Sequence, residues 1–198
     1  MSIQSKQKFD QYSIERLIDR QIIQDLMYKW CRAIDRLDYD AIREVFHPDA
    51  IDHHGPYDGG VDGLVEWVRE RHTNIPFSAH QVSNQLVEFA DADTALSETY
   101  IWVVQRYGAE AGKSLTQITG GHSGGGGMGV DVVAASRYID RFERREGKWA
   151  IAQRNVASGW RQMSDVPDNV PKMMPGWLVQ RRDQDDFVFQ ERKRLGIA

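Results

Sequence analysis

The stretch that decides the fold is Ser13–Leu37, SIERLIDRQIIQDLMYKWCRAIDRL. Ile14, Leu17, Ile18, Ile22, Leu26, Trp30, Ala33, Ile34 and Leu37 recur at intervals of three and four residues. That spacing predicts one apolar stripe of a long helix turned toward a core. Ser13 is placed to cap the first turn, where Glu15 also suits the helix dipole. Tyr28, Cys31 and Asp35 lie one turn apart on the neighbouring stripe. Asp35 stands in the last turn, where the dipole disfavours negative charge, so something else must stabilise it. Two readings are open: a solvated carboxylate paired with Arg32 or Arg36, or an acid buried at a pocket floor with a histidine as partner.

Composition bounds the rest. With 198 residues, 41% hydrophobic and 27% charged, the chain suits one domain over 1–198, with a core of about 13–160 and a C-terminal arm from 161. A net charge of -4 leaves no basic footprint for nucleic acid. Cys31 is the sole cysteine, which excludes an internal disulfide and thiolate zinc clusters. The residues before Ser13 contain no apolar run of signal-peptide length, and no stretch approaches a membrane span, so a cytoplasmic protein without a membrane partner is expected.

Outward from the first helix, Asp38 is read as the cap of a short second helix ended by Pro48, and Ala50–His54 as a strand. PYDGG at 56–60 is turn chemistry, and Asp62 is read as the cap of a third helix that ends before Pro76. From Ala79 the period changes to alternation, in AHQVSNQLVEF and then TALSETYIWVVQRY, which predicts two long antiparallel strands. GGHSGGGGMG at 120–129 lacks the Lys-Ser/Thr pair of a phosphate loop and reads as a mobile connection, with a flap over a pocket as an alternative. Val132–Glu143 and WAIAQRNVASGW form a final hairpin turned by REGK. RRDQDDFVFQERKR, with charges alternating in sign, reads as a solvated helix or arm. Helices first and strands afterward give an α+β fold, a curved antiparallel sheet covered on its concave face by the N-terminal helices.

A long helix ending in Asp, FHPDA before a short strand, AHQVSN opening a long strand, and RYIDRFERREGKWAI occur in an order that resembles the SnoaL-like group of the nuclear-transport-factor-2-like superfamily. The resemblance runs from Ile14 to about Trp160. It implies a cone with an apolar pocket, commonly assembled as homodimers or homotrimers. It also implies kinship with cofactor-free lyases: scytalone and bile-acid dehydratases, hexachlorocyclohexane dehydrochlorinases and lignin diarylpropane lyases. Those enzymes place an Asp at the end of the first helix and a His at the start of the first long strand, positions matched here by Asp35 and His80. By the same resemblance Trp30 and His54 fall at pocket positions that carry Tyr in dehydratases, and Arg154 at a frequently basic one. The polar His or Asp of the second long strand is missing. Ile101, Trp102, Val103 and Gln105 are nearest, so Gln105 or Tyr138 takes over that role or the reaction does without it.

A neutral imidazole at His80 would be the base, and Asp35 would fix its tautomer. Arg154 would anchor a phenolate or carboxylate, or else pair with Glu98 or Asp140. Tyr28, Trp30, His54, Tyr100, Trp102 and Tyr138 are the expected substrate-binding residues, aromatic groups suited to an aromatic or polycyclic small molecule. Alternation puts Tyr100 and Trp102 on one face and Thr99, Ile101 and Val103 on the other. His47, Asp49, Asp52, His53 and His54 are metal-type ligands close in sequence, but a strand sends His53 and His54 to opposite faces, so no metal site is expected. The resemblance implies elimination of water, or of a fragment such as formaldehyde, from a hydroxylated compound such as a lignin-derived diaryl dimer, with no cofactor. A double-bond isomerase, a non-catalytic ligand-binding module and a dioxygenase small subunit are the alternatives.

Overall fold

The computed structural model describes residues 10–120 and 128–197. The first helix, α1, runs Ile14–Arg36, opened by the Ser13 side chain accepting from Arg16 N–H and closed by Leu37 in the left-handed region. Its N-terminal half differs from the sequence expectation: Ile14, Leu17, Ile18 and Ile22 are exposed, and Arg16, Asp19, Ile23, Met27, Trp30 and Ile34 face inward. The C-terminal half sets the phase, and the polar residues thereby turned inward find partners. Arg16 Nη1 lies 2.9 Å from Asp19 Oδ2, and Trp149 Nε1 donates to Asp19 Oδ1 at 2.8 Å.

Asp38 caps α2, Tyr39–Glu44. This helix ends before Pro48, which lies inside β1, Phe46–His53, within the irregular stretch of pairing between Phe46 and Ile51. β2 is Asp58–Gly60 and α3 is Val61–Arg71, whose cap position is Gly60, with Asp62 in the first turn. β3 and β4 are Phe77–Phe89 and Thr94–Tyr107. A helix that the alternation did not announce, α4, occupies Gly112–Thr119. β5 and β6 are Val130–Arg145 and Lys148–Asp165, and α5 is Phe187–Arg194. The expected flap lies mostly at 121–127, outside the described residues.

The six strands form one sheet in the order β2-β1-β6-β5-β4-β3. All neighbours are antiparallel except β1 and β6, which run parallel. Register shifts between Val82 and Gln85, Ala135 and Ser136, and Arg141 and Phe142 bend the long strands. Gly159 serves one bend, because a Cβ there would come 2.6 Å from Ala135 O.

Two apolar clusters flank the concave face. The larger joins α1 and α3 to the sheet through residues such as Met27, Trp30, Leu64, Ile101 and Phe142; the smaller packs Leu115 of α4 against Tyr107, Val130 and Val132. Each fully buried side chain of this size contributes roughly 1.5–3 kcal/mol. The tail is more than a solvated arm. Asp186 is buried while capping α5, and Arg182 reaches back to the end of α1.

Candidate active site

The cavity lies between the two clusters, with a volume of about 210 Å³. Its wall includes Ile101, Val103, Val132, Tyr138 and Val156 from the sheet, Trp67 and Arg71 from α3, and Ile118 from α4. His80 and His54 enter it as polar groups. Alternation along β4 turns Ile101, Val103 and Gln105 to this side.

Asp35 stands behind His80. His80 Nδ1 is 2.7 Å from Asp35 Oδ1, and the His80 backbone N–H donates to Oδ2 at 2.8 Å. The Ser78 hydroxyl donates to Oδ1 at 2.8 Å, and Gln105 Nε2 donates to Ser78 Oγ at 3.2 Å. The acid is thus met by three donors. At the helix end, Arg182 Nε donates to Asp35 O at 2.9 Å and Nη2 to Ile34 O at 3.2 Å, so a guanidinium offsets the C-terminal dipole. Burial lowers Arg182 to about 10, which leaves it charged at neutral pH.

These contacts settle the ionisation of Asp35. Burial alone would raise its pKa, but the charge and hydrogen bonds of His80, with the Ser78 hydroxyl, outweigh burial and hold it below the usual carboxylate value. An ionised carboxylate only accepts, so the His80 nitrogen facing it carries the proton. In the neutral form of the ring the lone pair is then on Nε2.

A second pair sits at the end of β1. His54 Nδ1 is 3.0 Å from Asp52 Oδ1, and Asp52 is fully buried. Asp52 is the register partner of Arg154 on β6. Asp52 Oδ2 and Arg154 Nη1 are both buried without a hydrogen-bond partner. The remaining fork of Arg154 is held by Asp140, Nε to Oδ1 at 2.9 Å and Nη2 to Oδ2 at 2.7 Å. Burial works against the Arg154 charge, but Asp140 outweighs it and keeps the guanidinium ionised. Arg154 does not reach the cavity surface: its guanidinium carbon sits 4.1 Å from the Tyr138 ring centroid and 4.6 Å from that of Trp30. The expected anchor is therefore a buried charge behind an aromatic wall, held through Nε and Nη2 by its strand neighbour.

The other expected residues divide. Tyr138 lines the cavity, and Trp30 Nε1 donates to its hydroxyl at 3.1 Å from behind. Burial pushes the Tyr138 phenol up, so it is a neutral hydroxyl. Tyr28 is half exposed on α1, and Tyr100 and Trp102 stand half exposed on the outer face of the sheet, where Trp102 meets Trp160 with centroids 6.1 Å apart. None of the three lines the cavity; for Tyr100 and Trp102 the reason is that β4 offers it the other face of its alternation. The metal-type residues diverge: His47 Nε2 meets the Glu143 carbonyl at 2.9 Å and His53 Nδ1 meets Asp58 at 2.8 Å. Cys31 is buried, and burial followed by the charge of Asp35 pushes its thiol up to about 12, which leaves it an inert apolar group.

Sequence reasoning missed Ser78, Trp67, Arg71 and the pairing of Asp52 with His54. The signals were present. Ser78 and His80 are two residues apart on β3 and therefore share a face, and His54 follows Asp52 by two residues just past the end of β1. Leu64, Trp67, Val68 and Arg71 follow helical spacing, which puts an arginine on an apolar stripe.

Comparison with known proteins agrees with this architecture. Over 90 residues the chain is 37% identical to an uncharacterised protein of Mycobacterium tuberculosis, covering 43% of this chain and 59% of that one. Among solved structures, it superposes on hexachlorocyclohexane dehydrochlorinase from Novosphingobium barchaimii with a TM-score of 0.62 at 18% identity, covering 82% of this chain and 99% of the other. A candidate scytalone dehydratase from Novosphingobium aromaticivorans gives a TM-score of 0.61 at 16% identity, covering 80% and 98%. Identities this low speak for the shared fold. Residues 15–155, which hold the helix with Asp35, the strand with His80 and most of the last hairpin, match the SnoaL-like domain, and the chain belongs to that family.

Proposed function

We propose that this protein is a cofactor-independent lyase that removes water, or a small fragment such as formaldehyde, from a hydroxylated aromatic or alicyclic compound. The observation that carries the reading is His80, fixed through Nδ1 on an ionised Asp35 with Nε2 left for the cavity. The names of the two solved relatives denote eliminations, in keeping with this chemistry.

In the elimination, Nε2 of His80 takes a proton from the carbon next to the one bearing the hydroxyl. The electron pair of that C–H bond becomes the new double bond as the C–O bond breaks, and the departing oxygen takes a proton from His54 or Tyr138 to leave as water. The proton gained by His80 balances the one given up, so the protein ends the turnover unchanged after exchange with solvent. Asp35 stabilises the imidazolium that forms, and general-base catalysis of this kind contributes on the order of a hundredfold to ten-thousandfold.

A cavity of about 210 Å³ limits the substrate. An apolar cavity of about 150 Å³ holds a benzene, so one substituted ring fits, and a diaryl compound would leave its second ring at the mouth. The His54–Asp52 pair also favours a second reading, in which the proton returns to another carbon and the product is a double-bond isomer. The test is incubation with hydroxylated one-ring and two-ring aryl compounds, following the absorbance of the new double bond and the product mass. Loss of 18 mass units supports dehydration, and an unchanged mass supports isomerisation. Equal turnover by a folded His80→Ala variant removes the dyad from either reaction.

A further inference from the structure

The cavity wall has an unexpected charge. The whole chain carries -4, yet the wall contains Arg71, Arg161, His54 and His80 and, among the described residues, no Asp or Glu. The two carboxylates nearest by contact, Asp35 and Asp52, are each turned to a histidine.

Arg71 is the informative residue. Among the described residues three arginines are buried. Arg16 lies against Asp19 and Arg154 against Asp140, whereas Arg71, only 9% exposed, has no carboxylate within ion-pair distance among the described residues. Its contacts are with polar groups of no fixed negative charge: the Tyr107 hydroxyl, Gln105 Oε1 at 3.3 Å and His72 Nε2 at 2.9 Å. Its Nε has no acceptor. The contact with His72 is itself contested, because Arg182 Nη2 approaches the other nitrogen of that ring at 2.8 Å. A neutral imidazole has one lone-pair nitrogen and can accept from one of the two guanidinium groups, not both. Burying a guanidinium without an anion is costly, and a site that keeps one is built for an anion that arrives from outside.

The geometry points to Arg71 as the anchor for a carboxylate carried by the substrate, so that the cavity takes hydroxylated aryl or alicyclic acids rather than neutral alcohols. This rests on reading the cavity as the substrate site. A guanidinium presents a planar fork that matches a carboxylate in two parallel hydrogen bonds. Arg71 also lies 5.2 Å from the ring centroid of Trp67, whose indole forms a neighbouring part of the same wall and offers a face for the ring of the acid. A hydrogen-bonded chain joins the anchor to the base: Arg71 to Gln105, Gln105 to Ser78, Ser78 to Asp35, Asp35 to His80. An acid held on Arg71 is thereby set at a fixed offset from His80, and Arg161 at the wall adds attraction for an anion.

The test is calorimetric titration of the protein with 4-hydroxyphenylacetate and with its uncharged amide, repeated on Arg71→Gln, Arg71→Lys and His80→Ala. The expected result for the wild type is acid binding at least tenfold tighter than amide binding, with the preference lost in Arg71→Gln and partly kept in Arg71→Lys. Equal affinity for acid and amide in the wild type, or no acid binding at millimolar concentration, overturns the inference even if Arg71→Gln does not fold. A folded Arg71→Gln that keeps the preference overturns it too. His80→Ala separates this inference from the lyase reading. Its acid preference stays intact if Arg71 is the anchor, whatever happens to turnover, and a loss of turnover without any acid preference leaves the lyase standing and the anchor refuted.

Discussion

His80 Nδ1 lies 2.7 Å from Asp35 Oδ1, across 45 residues of sequence, and the same carboxylate takes the backbone N–H of His80 and the hydroxyl of Ser78. The strand that carries the base also supplies the groups that hold its acid. The orientation of the imidazole is therefore built into the opening of β3 and does not depend on a mobile side chain.

Asp35→Asn tests that arrangement. The amide can offer an N–H where the carboxylate only accepts, so the His80 tautomer is no longer fixed, and turnover is expected to fall on the order of a hundredfold to ten-thousandfold. Steady-state kcat with circular dichroism as the folding control measures this. The pKa of Asp35 is depressed in the folded state, so its stabilising contribution is present above the usual carboxylate value and lost as pH falls through the lower folded value. Urea titrations between pH 5 and 2 should show a shallower acid decline for the variant than for the wild type.

The second imidazole gives a separate prediction. Asp52→Asn removes the carboxylate that holds His54 Nδ1 at 3.0 Å but leaves the His80 pair in place. If His54 protonates the leaving oxygen, kcat drops by about a hundredfold while KM changes little. An unchanged kcat assigns that proton to Tyr138 or to solvent.

Arg154 and Asp140 are both fully buried, and their pairing is a matter of stability. Removing one partner strands a charge, so Arg154→Met is expected to destabilise the fold by about 3–5 kcal/mol. Adding Asp140→Leu should recover most of that loss. The coupling energy from a double-mutant cycle in urea checks it, and additive losses would show that the pair is not a unit.

How much of this was legible in the chain depends on what each residue's neighbours reveal. Ser13, Asp38 and the alternation after Ala79 act locally, and the caps and long strands fall where those residues put them. Ile14, Leu17, Ile18 and Ile22 misled because they and the Arg16–Asp19–Ile23 stripe are both helical in period, and only the partners Trp149 and Phe89 decide which one is inside. Asp35 and His80 came from family resemblance; no local pattern joins residues so far apart. Tyr100 and Trp102 drew attention as aromatics, but alternation alone does not say which face of β4 meets the helices. Arg182 lies in a run of charges that reads as solvated, and its role at the end of α1 is purely tertiary.

His72 makes the folded state sensitive to mild acid. Burial, then the charges of Arg71 and Arg182, hold its pKa well below the usual imidazole value of about 6.5. The unfolded chain therefore binds a proton near pH 6.5 that the folded one refuses. Stability is full above that pH and falls as pH drops below it, by up to about 1.4 kcal/mol per pH unit from this group. Denaturant midpoints at pH 7.5, 6 and 5 for the wild type and His72→Gln measure it; the expected difference is a smaller decline in the variant.

The most direct test of the central claim is kcat for His80→Ala with and without added imidazole, on the compound that the wild type turns over fastest. The account predicts a loss of at least about a hundredfold in a folded variant, with part of the activity restored as free imidazole enters the vacated space at Asp35. Wild-type kcat in a folded His80→Ala protein, indifferent to imidazole, would contradict it.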